Sequence, residues 1–140
     1  MIGELLEVNL AMIKPLLEFS HVIVVGHPGT GLNWFLHNEF PDAVVFDVSI
    51  QRDLYELYDF FETNRNKTII IDAAFYFKTH PNTSELLTAV IQSLINGKCF
   101  ALSGSLRESF DFTGKIILTS YTYDCLPRAL TNRMHVVIAS

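Results

Sequence analysis

Four short stretches of this sequence are almost wholly apolar, and segments with a helical period separate them. "HVIVVG" (21–26), "TIIIDAAF" (68–75), "KIILTSY" (115–121) and "HVVIAS" (135–140) are strand-length and lack the strict alternation of a sheet with one wet face. A strand that is apolar on both sides has to be covered on both sides. "AVVFDVSI" (43–50) reads as a further strand. Between these runs lie "LNWFLHNEF" (32–40), stopped by Pro41, and "QRDLYELYDFFETN" (51–64), with Leu54, Leu57, Tyr58 and Phe61 at helical spacing. "ELLTAVIQSLING" (85–97) is a third helix, with Gly97 as its stop. The alternation predicts an α/β fold: a three-layer, mainly parallel sheet flanked by helices.

The sequence of 140 residues, 49% of them hydrophobic, suits a single domain over 1–140 with a real core. Residues 1–19 read as an amphipathic N-terminal helix. Leu5, Leu6, Met12, Ile13, Leu16 and Leu17 share one face, and Pro15 kinks or divides it. In "KCFALSGSLRESFDF" two β-like pieces flank "SGSLRE", which predicts a β-hairpin over 97–113. "DCLPRALTNRM" is a loop with a short helix. The aromatics Tyr55, Tyr58, Phe60 and Phe61 belong to the core, whereas "AAFYFK" is expected to expose Tyr76 or Phe77 as a contact surface.

Composition removes several classes of function. The mean hydropathy is high, +0.28, yet no apolar run approaches the roughly 20 residues that span a bilayer. The N-terminus lacks the pattern of a secretory signal. A cytoplasmic protein without a membrane role is expected. The net charge is −5, and the basic residues are scattered apart from Arg128 and Arg133. Nucleic-acid binding by the isolated monomer is therefore disfavoured, although a ring or hetero-complex could assemble a basic channel. Cys99 and Cys125 form no CxxC pattern and read as reduced thiols. His21, His27, His37, His80 and His135 show no metal-ligand spacing, so no metal site is expected.

The chemistry concentrates in "VVGHPGTGLN" (24–33). Phosphate-cradling loops read G-x-x-x-x-G-K-[ST] after a strand and before a helix. Gly26 and Gly31 keep that spacing, and Gly26, His27, Pro28, Gly29, Thr30 and Gly31 are the candidate nucleotide-binding residues. Leu32 replaces the lysine and Asn33 the hydroxyl residue. Taken alone, the segment is also a plain glycine-rich turn. Asp72 ends an apolar strand, the position of a Mg²⁺-holding carboxylate or of a simple turn residue. Ala73 stands where a glutamate would polarise water.

The order of these elements resembles the core of the AAA+ ATPases over roughly residues 20–140. The hairpin before "KIILTS" is similar to the phage and viral branch. The resemblance implies a P-loop NTPase core with "TIIID" as Walker B strand and "KIILTSY" as sensor strand, whose polar residue would be Tyr121 or Thr122. Pro127, Ala129, Leu130 and Arg133 match the family's arginine-bearing turn. Arg133 is thereby the candidate arginine finger and Arg128 a weaker one; both are equally read as surface salt-bridge residues. The family adds a helical lid after the last strand, which is expected to be missing here.

With Leu32, Asn33 and Ala73 at the charge-handling positions, the resemblance implies a pseudo-ATPase without catalytic residues. No cofactor is expected beyond weak ATP or ADP. The implied partner is a protein, an AAA+ ATPase, helicase or loader, met as a homo- or hetero-oligomer. Two other readings stay open. One is an unusual ATPase that remodels nucleic acid and draws its lysine from Lys78 or Lys115. The other is a self-assembling structural protein indifferent to nucleotide.

Overall fold

The computed structural model describes residues 11–27, 31–48, 54–80, 84–99 and 110–139. Five strands form one parallel sheet: β1 (Val22–Gly26), β2 (Val44–Asp47), β3 (Thr68–Ala74), β6 (Lys115–Ser120) and β7 (His135–Ala139), in the order β2-β3-β6-β1-β7. Two short strands, β4 (Lys98–Cys99) and β5 (Phe110–Asp111), pair antiparallel in a separate ladder. That ladder closes the segment expected to be a hairpin, whose turn "SGSLRE" lies outside the described residues.

The apolar runs have their physical reason in the two faces of this sheet. Val22 and Val24 point to one face, where α1 (Ile13–Leu17) and α2 (Leu32–Glu39) cover them with Ile13, Leu17, Leu32 and Leu36. Ile23 and Val25 point to the other. There α3 (Leu54–Thr63), α5 (Ser84–Ile95) and α6 (Arg128–Thr131) contribute Leu57, Phe61, Val90, Ile91, Leu94 and Leu130. Helices on both faces of a parallel sheet make the three-layer α/β arrangement that the runs predict.

Local chemistry explains the element ends. Pro15 stands in the first turn of α1, where an N–H has no intrahelical partner to lose; residues 3–10 of the expected long helix lie outside the described residues. Gly97 takes φ +90 after α5, and its N–H bonds the carbonyl of Leu94. A register shift between Asp72 and Ala74 ends β3, and Ala74 sits at φ 47. The chain then enters α4 (Tyr76–Thr79), a short helix the periodicity did not signal. This overturns the expected exposure in "AAFYFK". Phe77 is buried, Tyr76 is half-buried, and Phe75 is the exposed ring. Among the described residues no helix is long and apolar enough to cross a membrane.

Candidate functional site

In a parallel sheet every strand delivers its carboxyl end to the same edge, where ligands of open α/β sheets bind. Here β6 lies between β1 and β3. Its end therefore stands between the glycine-rich loop and Asp72. A cleft of about 280 Å³ opens at this edge, lined by Gly26, His27, Gly31, Leu32, Asn33, Trp34, Asp72, Thr119, Ser120 and Tyr121. Segments distant in sequence thus converge at one place. Pro28, Gly29 and Thr30 lie outside the described residues.

Gly31 caps α2 at φ +80, a left-handed backbone that glycine adopts without strain. Among the described residues no side chain caps the first turn of α2, and its free amides give this end of the helix a positive partial charge. Leu32 does not reach out as a phosphate-binding lysine would. It is 7% exposed and packs with Leu36, Val22, Val24 and Val137. Its Cδ2 stands 3.4 Å from where a Cβ on Gly26 would be. Asn33 and Trp34 are exposed at the cleft.

Asp72 is half-buried, and the Thr119 hydroxyl donates a hydrogen bond to its Oδ1 at 3.1 Å. The two residues are register partners on β3 and β6, and Asp47 on β2 is the register partner on the other side of Asp72. Among the described lining residues there is no lysine or arginine. Asp72 is the one carboxylate among those described lining residues.

Ala73 is 1% exposed and packs in the opposite core layer, with Ile69 and Ile71. A longer side chain at 73 would enter that core rather than the cleft. Position 73 is thus a packing position in this chain. Of the two residues expected at the end of β6, one lines the cleft. Thr119 bonds Asp72, and Tyr121 lines the cleft. The Thr122 hydroxyl instead lies 3.1 Å from Cys125 Sγ. Thr119 was legible in principle: two residues before Tyr121, it shares that residue's side of a strand. Trp34 carried no signal beyond being the lone tryptophan.

The arginine-bearing turn is not part of the cleft. Arg133 Nη1 donates to the Asn96 side-chain oxygen at 3.1 Å, and Arg128 is exposed. β7 starts level with Val22, the amino end of β1. Arg133 therefore precedes the opposite edge of the sheet, about 15 Å from the cleft by the rise of a five-residue strand. Lys115 begins β6 at that same far edge, and Lys78 is on α4; neither lines the cleft.

No family model matches the sequence, and no curated protein matches it.

Proposed function

We propose that this chain is a catalytically inactive AAA+-like module, a pseudo-ATPase that acts by binding another protein. The observation that carries the reading is Leu32, folded back onto Gly26 at the lysine position of the loop. A triphosphate brings several negative charges. Its binding and transfer depend on positioned cations and donors. This cleft instead presents a carboxylate, with no lysine or arginine among its described lining residues to offset either charge. Asn33 is a poor replacement for the hydroxyl that would hold Mg²⁺. The residues described here do not fit Mg²⁺–ATP, and weak ADP or ATP binding is the most they would support.

The order of the sheet supports the AAA+-like part of the reading. It sets the strand of the phosphate-like loop, the sensor-like strand and the Asp72 strand so that all three end at one cleft. The place of Arg133 at the far edge suits a residue that acts on a neighbouring molecule and not on its own cleft. The partner we infer is an active AAA+ ATPase, replication helicase or loader, in a virus or mobile element. The alternative of an unusual ATPase needs a substitute lysine, and Lys115 stands a strand length from the cleft.

ATP turnover of the full chain and of Leu32→Lys tests the reading. Neither is expected to hydrolyse ATP. Mg²⁺-dependent turnover abolished by Asp72→Ala would overturn it.

A further inference from the structure

The sequence scatters its basic residues, and the fold gathers three of them at the edge of the sheet opposite the cleft. Lys67 immediately precedes β3 and Lys115 opens β6. The two strands are neighbours, with Thr68 and Lys115 in register. Backbone hydrogen bonds fix the arrangement. The N–H groups of Thr113 and Gly114 both donate to the Arg65 carbonyl at 2.9 Å, and Lys115 N–H donates to that of Lys67 at 3.2 Å. Arg65 and Lys67 are exposed, and Lys115 is half-buried. None of the three has an ion-pair partner among the described residues. α3 ends at Thr63, beside Arg65, and its carbonyl end offsets only about half a charge.

The surroundings narrow what these cations can hold. Phe19 is 86% exposed and lies two residues before His21, whose ring accepts the N–H of Ile116, next to Lys115. An exposed apolar ring therefore stands near the cations. Exposed carboxylates flank them without pairing: Glu18 belongs with α1 in one helix layer, Glu62 and Asp111 with α3 and β5 in the other. A nucleic-acid strand carries a charge about every 3.4 Å along its whole length and would run past the cations onto those carboxylates. A short acidic stretch of polypeptide can end its charge where the cations end. An apolar side chain beside its carboxylates has Phe19 to pack on. We propose that this edge docks a short acidic segment of a partner protein, with an apolar side chain of that segment set against Phe19. The surface is separate from the cleft. The proposal rests on the reading above only in taking the partner to be a protein, and it names the chemistry by which that partner is held.

Fluorescence anisotropy of a dye-labelled peptide, aspartates flanking one leucine, tests this on the full chain. The comparators are the same peptide with asparagines, the same peptide with alanine for leucine, and a labelled oligodeoxythymidylate. The aspartate peptide is expected to saturate. Its binding is expected to weaken as ionic strength rises from about 0.01 to 0.1 M, over which the screening length falls from about 30 to 10 Å. The asparagine peptide is expected not to bind. Lys67→Ala and Lys115→Ala, with unchanged circular dichroism spectra, are each expected to weaken the peptide about threefold, and together about tenfold. Lys78→Ala removes the same charge on α4, beyond the carboxyl end of β3, and is expected to leave binding unchanged. Phe19→Ser is expected to weaken the leucine peptide and not its alanine counterpart. If the peptide fails while calorimetry with Mg²⁺–ATP is also silent, this proposal falls and the pseudo-ATPase reading stands; saturable Mg²⁺–ATP binding overturns that reading instead. No saturable peptide binding, an equal loss in Lys78→Ala, or tighter binding of the oligonucleotide than of the peptide overturns the proposal. A salt-sensitive oligomer of the chain that is lost in Lys67→Ala gives the surface to a second copy and overturns it as well.

Discussion

The Cδ2 methyl of Leu32 lies 3.4 Å from the point where a side chain on Gly26 would begin. Leu32 thus occupies the space next to Gly26 into which a side chain there would grow. A loop built to hold triphosphate needs a cation at this position. In this chain the same position anchors α2 to the carboxyl end of β1. Position 32 thus serves packing in this chain, and the side chain there carries no charge.

That anchor can be weighed by truncation. Leu32→Ala removes a buried side chain from a cluster that includes Leu36, Val24 and Val137. It is expected to cost about 2–4 kcal/mol, read from urea unfolding. A cost below about 1 kcal/mol would mean that Leu32 is not held in the core.

The Thr119–Asp72 hydrogen bond is expected to contribute modestly and locally. Thr119→Val keeps the shape and removes the donor, leaving a half-buried carboxylate with one partner fewer. A loss of about 1–2 kcal/mol is expected. In a double-mutant cycle with Asp72→Asn, the two substitutions should be non-additive by at least about 0.5 kcal/mol. Strict additivity would show that the two side chains do not interact in solution.

Much of this arrangement is legible in the sequence, for a clear physical reason. Strands such as "VIVVG" and "KIILTS" are buried on both faces, so their composition reports the layer structure directly. Gly31 takes the left-handed conformation that glycine adopts without strain, whereas at Gly26 the constraint is space, since a Cβ there would meet Ala139 and Leu32 at 3.4 Å. Side-chain direction is harder to read. Ala73 follows Asp72 directly, yet the alternation of β3 sends it into the opposite layer. Thr119 rather than Thr122 meets Asp72 because strand register, a long-range property, sets which residues are neighbours. The exposure of Phe75 and burial of Phe77 follow from the short helix α4, which is too brief to leave a period in the sequence.

A half-buried histidine gives the fold an acid-sensitive point. His21 Nδ1 accepts the backbone N–H of Ile116 at 3.0 Å, a bond that needs the neutral ring. Burial, with a smaller contribution from Lys115, lowers its pKa to about 4. The unfolded chain protonates its histidine near pH 6.5, so it takes up the proton first. Stability from this group is complete above pH 6.5 and is lost as pH falls towards about 4. The melting temperature is expected to decline across that window, and to decline less in His21→Asn. An identical decline in both would assign the acid sensitivity elsewhere.

A second fixed point joins two turns at the amino edge of the sheet. The N–H groups of Thr113 and Gly114 both bond the carbonyl of Arg65, and Lys115 N–H bonds that of Lys67. A Cβ on Gly114 would collide with the Lys67 carbonyl oxygen. Backbone atoms cannot yield as a flexible side chain can. Gly114→Ala is expected to destabilise by about 1–3 kcal/mol, seen as a lower thermal midpoint. An unchanged midpoint would show that the two turns are not in contact.

Calorimetric titration of Mg²⁺–ATP into the full chain tests the central claim most directly. With Leu32 in place of the cation, no saturable heat is expected up to about 1 mM nucleotide, the range of weak binding. Saturable, Mg²⁺-dependent binding in the micromolar range, lost in Asp72→Ala, would contradict the account.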